Sequence, residues 1–81
     1  MTLTAEQARA ARALIKEDQS TVADGAGVPV PTLKRWENGA GPLTGAADRV
    51  GALQVYYERR GVIFIAENGE GPGVRLRKDR S

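Results

Sequence analysis

The chain has 81 residues, 41% of them hydrophobic and 27% charged, which suits one folded domain with a modest core and excludes a largely disordered segment. It contains neither cysteine nor histidine, so disulfides and thiolate metal sites are excluded, and the commonest metal ligand and general base are missing. The formal charge is only +2, but Arg59, Arg60, Arg75, Arg77, Lys78 and Arg80 crowd the last third and Lys34 and Arg35 adjoin mid-chain, a distribution that fits a polyanionic partner. No cofactor and no enzymatic role are expected. No apolar run is long enough to span a membrane, and Met1-Thr2-Leu3-Thr4 lacks the regions of a secretory signal, so the expectation is a cytoplasmic protein with no membrane partner.

The predicted elements follow in chain order. Thr4-Ala5-Glu6-Gln7 reads as a capping box that opens a helix from Ala5 to Ile15, with Ala8, Ala11, Leu14 and Ile15 at core spacing. Asp18 caps a second helix, Gln19 to Asp24, burying Val22 and Ala23, and Gly25-Ala26-Gly27 breaks it. Pro31 suits the first position of a third helix running to Asn38, and it should push Val30 out of helical geometry. Gly39 ends that helix. A fourth helix is expected from Thr44 to Arg60, with Ala47, Val50, Leu53 and Tyr57 on its buried face and Tyr56 at the surface or an interface, stopped by Gly61. The period then changes: Val62-Ile63-Phe64-Ile65-Ala66 and Val74-Arg75-Leu76-Arg77 read as two strands around a glycine-rich turn. The predicted fold is thus mainly α, a four-helix unit (1–60) with a C-terminal β-hairpin (61–78), followed by a disordered tail (79–81).

Two short helices joined by a glycine turn form the mechanical core of a helix-turn-helix, in which the first helix braces a second that fits the major groove of DNA. Here the brace would be the second helix and the reader the third. Val22, Ala23, Val28, Leu33 and Trp36 would pack them together, leaving Val30, Pro31, Thr32, Lys34 and Arg35 outside. Arg35 has the fork that pairs with guanine O6 and N7, and Val30 the apolar surface that meets a thymine methyl. Lys34 suits a phosphate contact, and Thr32 either role. Arg9, Lys16 and Arg49 read as solvated charges. Arg75, Arg77, Lys78 and Arg80 either keep an edge strand soluble or touch the DNA backbone or a minor groove.

The run Gln19, Val22, Ala23, Ala26, Gly27, Val28, Thr32, Leu33, Trp36, Glu37, Gly39 resembles the xenobiotic-response-element (phage Cro/C1 repressor-like) helix-turn-helix family over about residues 4 to 60. The stretch from Gly61-Val62-Ile63-Phe64 through Glu67-Asn68-Gly69 to Gly71-Pro72-Gly73-Val74-Arg75-Leu76 is similar to the end of a short bacterial subgroup that carries a C-terminal strand segment. The resemblance implies a compact helical DNA-binding domain in which Gln19 and Asn38 contact phosphates, Val30, Pro31 and Arg35 reach base edges, and Arg12 and Glu37 form a buried ion pair. This chain departs from the pattern in opening its reading helix with Pro29-Val30-Pro31 instead of serine or threonine with polar neighbours, which shifts weight onto Arg35.

The expected partner is double-stranded DNA. An isolated hairpin is marginal in water, so Val62, Ile63, Phe64, Ile65, Val74 and Leu76 are the candidate dimerisation residues of a homodimer reading an inverted repeat. The alternative is an antitoxin-type module whose C-terminal segment captures a partner protein.

Overall fold

The computed structural model describes residues 2–78; the tail expected at 79–81 lies outside the described residues. Four helices, α1 (Ala5–Ile15), α2 (Gln19–Ala26), α3 (Val30–Asn38) and α4 (Ala47–Arg59), are followed by an antiparallel hairpin of β1 (Val62–Ile65) and β2 (Gly73–Leu76). The mainly α architecture with a C-terminal hairpin is the one the sequence predicts. Among the described residues no helix is long and apolar enough to cross a membrane.

Local chemistry accounts for most of the boundaries. The Thr4 hydroxyl accepts from the Gln7 backbone N–H at 3.1 Å and the Gln7 side chain accepts from the Thr4 N–H at 3.0 Å, satisfying two donors that a helix start leaves free. The other end of the same amide reaches across the molecule. Gln7 Nε2 donates to the carbonyls of Ile65 (3.1 Å) and Gly73 (3.0 Å), so one buried glutamine caps α1 and pins the mouth of the hairpin. Asp18 caps α2 through the Thr21 N–H at 2.8 Å.

β1 ends one residue earlier than expected and β2 lies one residue earlier, and three helix boundaries also differ from expectation. α2 runs on through Gly25 to Ala26, because the residue that leaves helical geometry is Gly27, at φ +71°. Gly25 has a packing reason instead: a Cβ there would collide with the ring of Tyr56. α3 starts at Val30, one residue early. Pro29 is its extended N-cap (φ −58°, ψ 139°), and its carbonyl accepts from the N–H groups of Thr32 (3.0 Å) and Leu33 (3.1 Å). The second helical position, like the first, has a free N–H, so Pro31 is accommodated there without losing a bond. α4 starts at Ala47 and not at Thr44, because Trp36 Nε1 holds the Thr44 carbonyl at 2.7 Å in the preceding loop and Gly45 follows at φ +114°.

The core lies where α1, α2, α3 and α4 meet. Ala8, Ala11, Val22, Ala23, Leu33, Leu53 and Tyr57 are fully buried, with Val28 and Trp36 nearly so. Small side chains on α1 and α2 let α3 and α4 pack close against them. The hairpin shares this core: Val62 is buried in it, and Phe64, Val74 and Leu76 pack against it. Tyr56, expected at the surface or an interface, is also buried. Its hydroxyl donates to Glu17, its ring stacks under the Arg60 guanidinium at 3.7 Å, and Arg60 Nε bonds Glu17 at 2.8 Å. Of the predicted face of α4, Val50 is half-buried and Ala47 exposed.

This packing predicts the sign of a substitution that helix propensity alone gets wrong. Gly to Ala inside a helix ordinarily gains up to about 1 kcal/mol, but Gly25→Ala must displace a ring held by Glu17 and Arg60, an overpacking cost of roughly 1–3 kcal/mol. The variant is expected to unfold at lower urea than the wild type; an unchanged or raised midpoint refutes this account of Gly25.

Candidate nucleic-acid interface

α2, the Gly27–Pro29 turn and α3 form one packed unit. Val22 and Ala23 of α2, Val28 of the turn, and Leu33 and Trp36 of α3 close its inner face. On α3, burial alternates with the helical period: positions 32, 33, 36 and 37 face in, and Pro31, Lys34, Arg35 and Asn38 face out. Among the described residues neither Lys34 nor Arg35 is joined to a carboxylate of the chain, so both cations are available to a ligand. The Arg35 guanidinium lies beside Gly45, whose added Cβ would stand 3.9 Å from Nη2.

The remaining assigned contact residues are placed differently. Thr32 is only 9% exposed, because it shares the inward turn of α3 with Leu33 and Trp36. It is not on the outward face where sequence reading set it. Val30 is half-buried and packs against the core, leaving part of its side chain outside. Gln19, read as a phosphate ligand, has its amide nitrogen on Glu37 Oε1 at 3.0 Å, which leaves one amide hydrogen for an outside acceptor.

Glu37 is the centre of a network. It is 4% exposed and accepts a two-pronged interaction from Arg12, with Nε to Oε2 at 2.8 Å and Nη2 to Oε1 at 2.9 Å. That fork ties α1 to α3, and Gln19 adds α2. The hydrogen bond to Glu37 raises the Arg12 pKa above its ordinary value despite the opposing cost of burial. Arg12 Nη1 also holds the Glu17 carbonyl at 3.1 Å. Arg9, read as a solvated charge, has a structural role: it donates to the carbonyls of Glu37 and Gly39, groups that the end of α3 leaves without helical partners. Its signal was available in the sequence, one helical turn before Arg12 on α1.

The candidate dimerisation residues of the hairpin divide between its two faces. Val62, Phe64, Val74 and Leu76 are spent on the chain's own core. Pairing Val62 with Leu76 and Phe64 with Val74 puts these four on one face, while Ile63 and Ile65 lie on the other, opposite Arg75 and Gly73. Ile63 and Ile65 are half-buried. The apolar face thought to need a second chain is therefore covered by helices. Arg75, Arg77 and Lys78 are exposed, and Arg80 lies outside the described residues.

Among the described residues no three acidic groups converge to hold a metal ion. No protein-family model matches the chain, and no curated protein matches it. The assignment of function therefore rests on geometry and on the residue pattern.

Two predictions follow from the ion network. Replacing Arg12 with Met strands a buried carboxylate and should cost about 3 kcal/mol, the low end for breaking a buried pair. Replacing Glu37 with Gln leaves an arginine whose side chain is 27% exposed and which can turn to water, so about 1–2 kcal/mol is expected. Equal losses in chemical denaturation would refute this asymmetry. The second prediction concerns Glu17. Burial alone would raise its pKa, but the bonds from Tyr56 and Arg60 outweigh that and hold it below the ordinary glutamate value of 4.5. Folding therefore favours the carboxylate. The stabilisation is complete above the unfolded value and is lost as the pH falls through the lower folded value. Stability should decline below a pH of about 4.5, and Glu17→Gln should flatten that decline; an unaltered acid limb in the variant would remove Glu17 from the cause.

Proposed function

We propose that the protein is a sequence-specific double-stranded DNA-binding regulator of the xenobiotic-response-element helix-turn-helix kind, acting as a homodimer on an inverted-repeat operator. The observation that carries the reading is the outer face of α3, where Lys34, Arg35 and Asn38 stand free on a helix rigidly braced from behind. An α-helix presenting such a face fits the major groove, about 12 Å wide. Arg35 supplies base readout through its bidentate fork and Lys34 positions the backbone. Asn38 and the second amide hydrogen of Gln19 reach phosphates at the two ends of the unit. Pro31 and the exposed part of Val30 give apolar contact at the helix start. The function is one of binding, not catalysis, and no cofactor takes part.

The decisive experiment is a titration of the full chain, at physiological salt, onto a fragment from upstream of its own gene beside an unrelated fragment. A preference of ~10³ or more supports specific regulation, while equal, weak and steeply salt-dependent binding to both refutes it. Within a specific complex, Arg35→Ala should lose about 1–3 kcal/mol of discrimination at one base pair, and Lys34→Ala should weaken all sequences alike and reduce the salt slope by about one. Thr32→Ala should lower stability and leave the affinity of the folded protein unchanged. A Thr32 variant that folds normally and loses DNA binding would return that residue to the interface. Reversing both charges, Lys34→Glu with Arg35→Glu, should abolish DNA binding under this reading and the antitoxin-type reading alike; retention would refute α3 as the reading helix.

A further inference from the structure

α4 carries a stripe that the rest of the chain leaves uncovered. At about 100° per residue, Asp48, Ala52, Val55 and Arg59 fall within roughly 60° of one another along three turns. Val55 is 43% exposed, the one large hydrophobic side chain classed as exposed among the described residues. Beside it, Gly51 and Ala52 with Gly25 and Ala26 of α2 line an open groove of about 470 Å³. Asp48 stands at one end of the stripe and Arg59 at the other. Among the described residues neither is ion-paired, whereas the neighbouring Arg60 is held by Glu17.

We propose that this groove is an interface with a second copy of the chain, α4 packing antiparallel against α4 about a two-fold axis between Leu53 and Gln54. A closed dimer requires a patch complementary to itself, and this stripe is: reversed end for end, it sets Asp48 against Arg59 of the partner subunit at both ends. In the middle each Val55 enters the notch left by Gly51 and Ala52 of the other chain. Small residues there let the helix axes approach toward the short end of the usual 8–10 Å. An acidic or a basic peptide would match one end of the stripe and oppose the other. The stripe shares no residue with the outer face of α3, so both copies keep that face open. The interface deepens the two-fold part of the regulator reading and replaces the hairpin, whose apolar face is already covered.

The test is sedimentation equilibrium of the full chain without DNA. The wild type is expected to be a dimer at micromolar concentration, and Val55→Glu a folded monomer by circular dichroism. Asp48→Arg and Arg59→Asp, each alone, bring like charges together and should weaken association at least tenfold. Mixed in equal amounts, those two variants should form a heterodimer, since every facing pair is then of opposite sign; the double variant should dimerise with itself. A monomeric wild type, single charge variants that associate as tightly as the wild type, or a mixture that stays monomeric would each overturn the interface. Failure of the wild-type dimer to prefer its own upstream DNA would strike the regulator reading alone.

Discussion

The carboxylate of Glu37 holds the architecture in register. It is buried at the back of α3, where an unpaired charge would be costly, and it is compensated from two directions: the Arg12 fork from α1 and the Gln19 amide from α2. Arg9, one turn earlier on α1, takes the backbone carbonyls at the end of the same helix. Three helices thus converge on one acidic side chain and its neighbouring carbonyls. Apolar packing alone would allow α3 to slide or rotate on α1, because alanine surfaces discriminate poorly among registers. A two-pronged charged bond does not, and the outward azimuth of Lys34 and Arg35 follows from it.

A parallel device positions the C-terminal half. Glu17, in the turn between α1 and α2, receives Tyr56 and Arg60 from α4, and Gly25 leaves the room that the Tyr56 ring occupies. Gln7 does the same for the hairpin through two carbonyls. In each case a polar side chain from α1 or the turn that follows it captures an element far along the chain. The hairpin is stabilised by being clamped and covered, which answers the marginal stability of two strands in water.

Elements whose signals are local were readable in the sequence: the Thr4–Gln7 capping box, the Asp18 cap, the Gly27 and Gly61 stops and the change of period at Val62. Errors arose where a distant partner decides. Gly25 looked like a helix breaker because the Tyr56 ring that explains it is distant in sequence. Tyr56 looked superficial because its hydroxyl partner lies on another turn. Thr32 looked outward because the residue pattern gives the period of a helix more reliably than its rotation; burial of Glu37 through Arg12 fixes that rotation and carries Thr32 inward. The hairpin's six apolar residues could not be divided between self and partner without knowing which face met α1 and α4.

The same partition decides which cations of a chain of net charge +2 stay available to a ligand. Arg9, Arg12 and Arg60 are consumed internally, on helix-end carbonyls and on two carboxylates. Each of these interactions also removes competition: a Glu37 saturated by Arg12 and Gln19 cannot fold Lys34 or Arg35 back onto the protein, and a Glu17 saturated by Arg60 does not draw Arg59 away from the outer stripe of α4. Asp24, Asp48, Glu58, Glu67 and Glu70 are exposed like the outer cations, so the separation is local to α3. Local potential, not net charge, governs attraction of a polyanion, and among the described residues the internal ion pairs leave Lys34 and Arg35 without a carboxylate partner on that face.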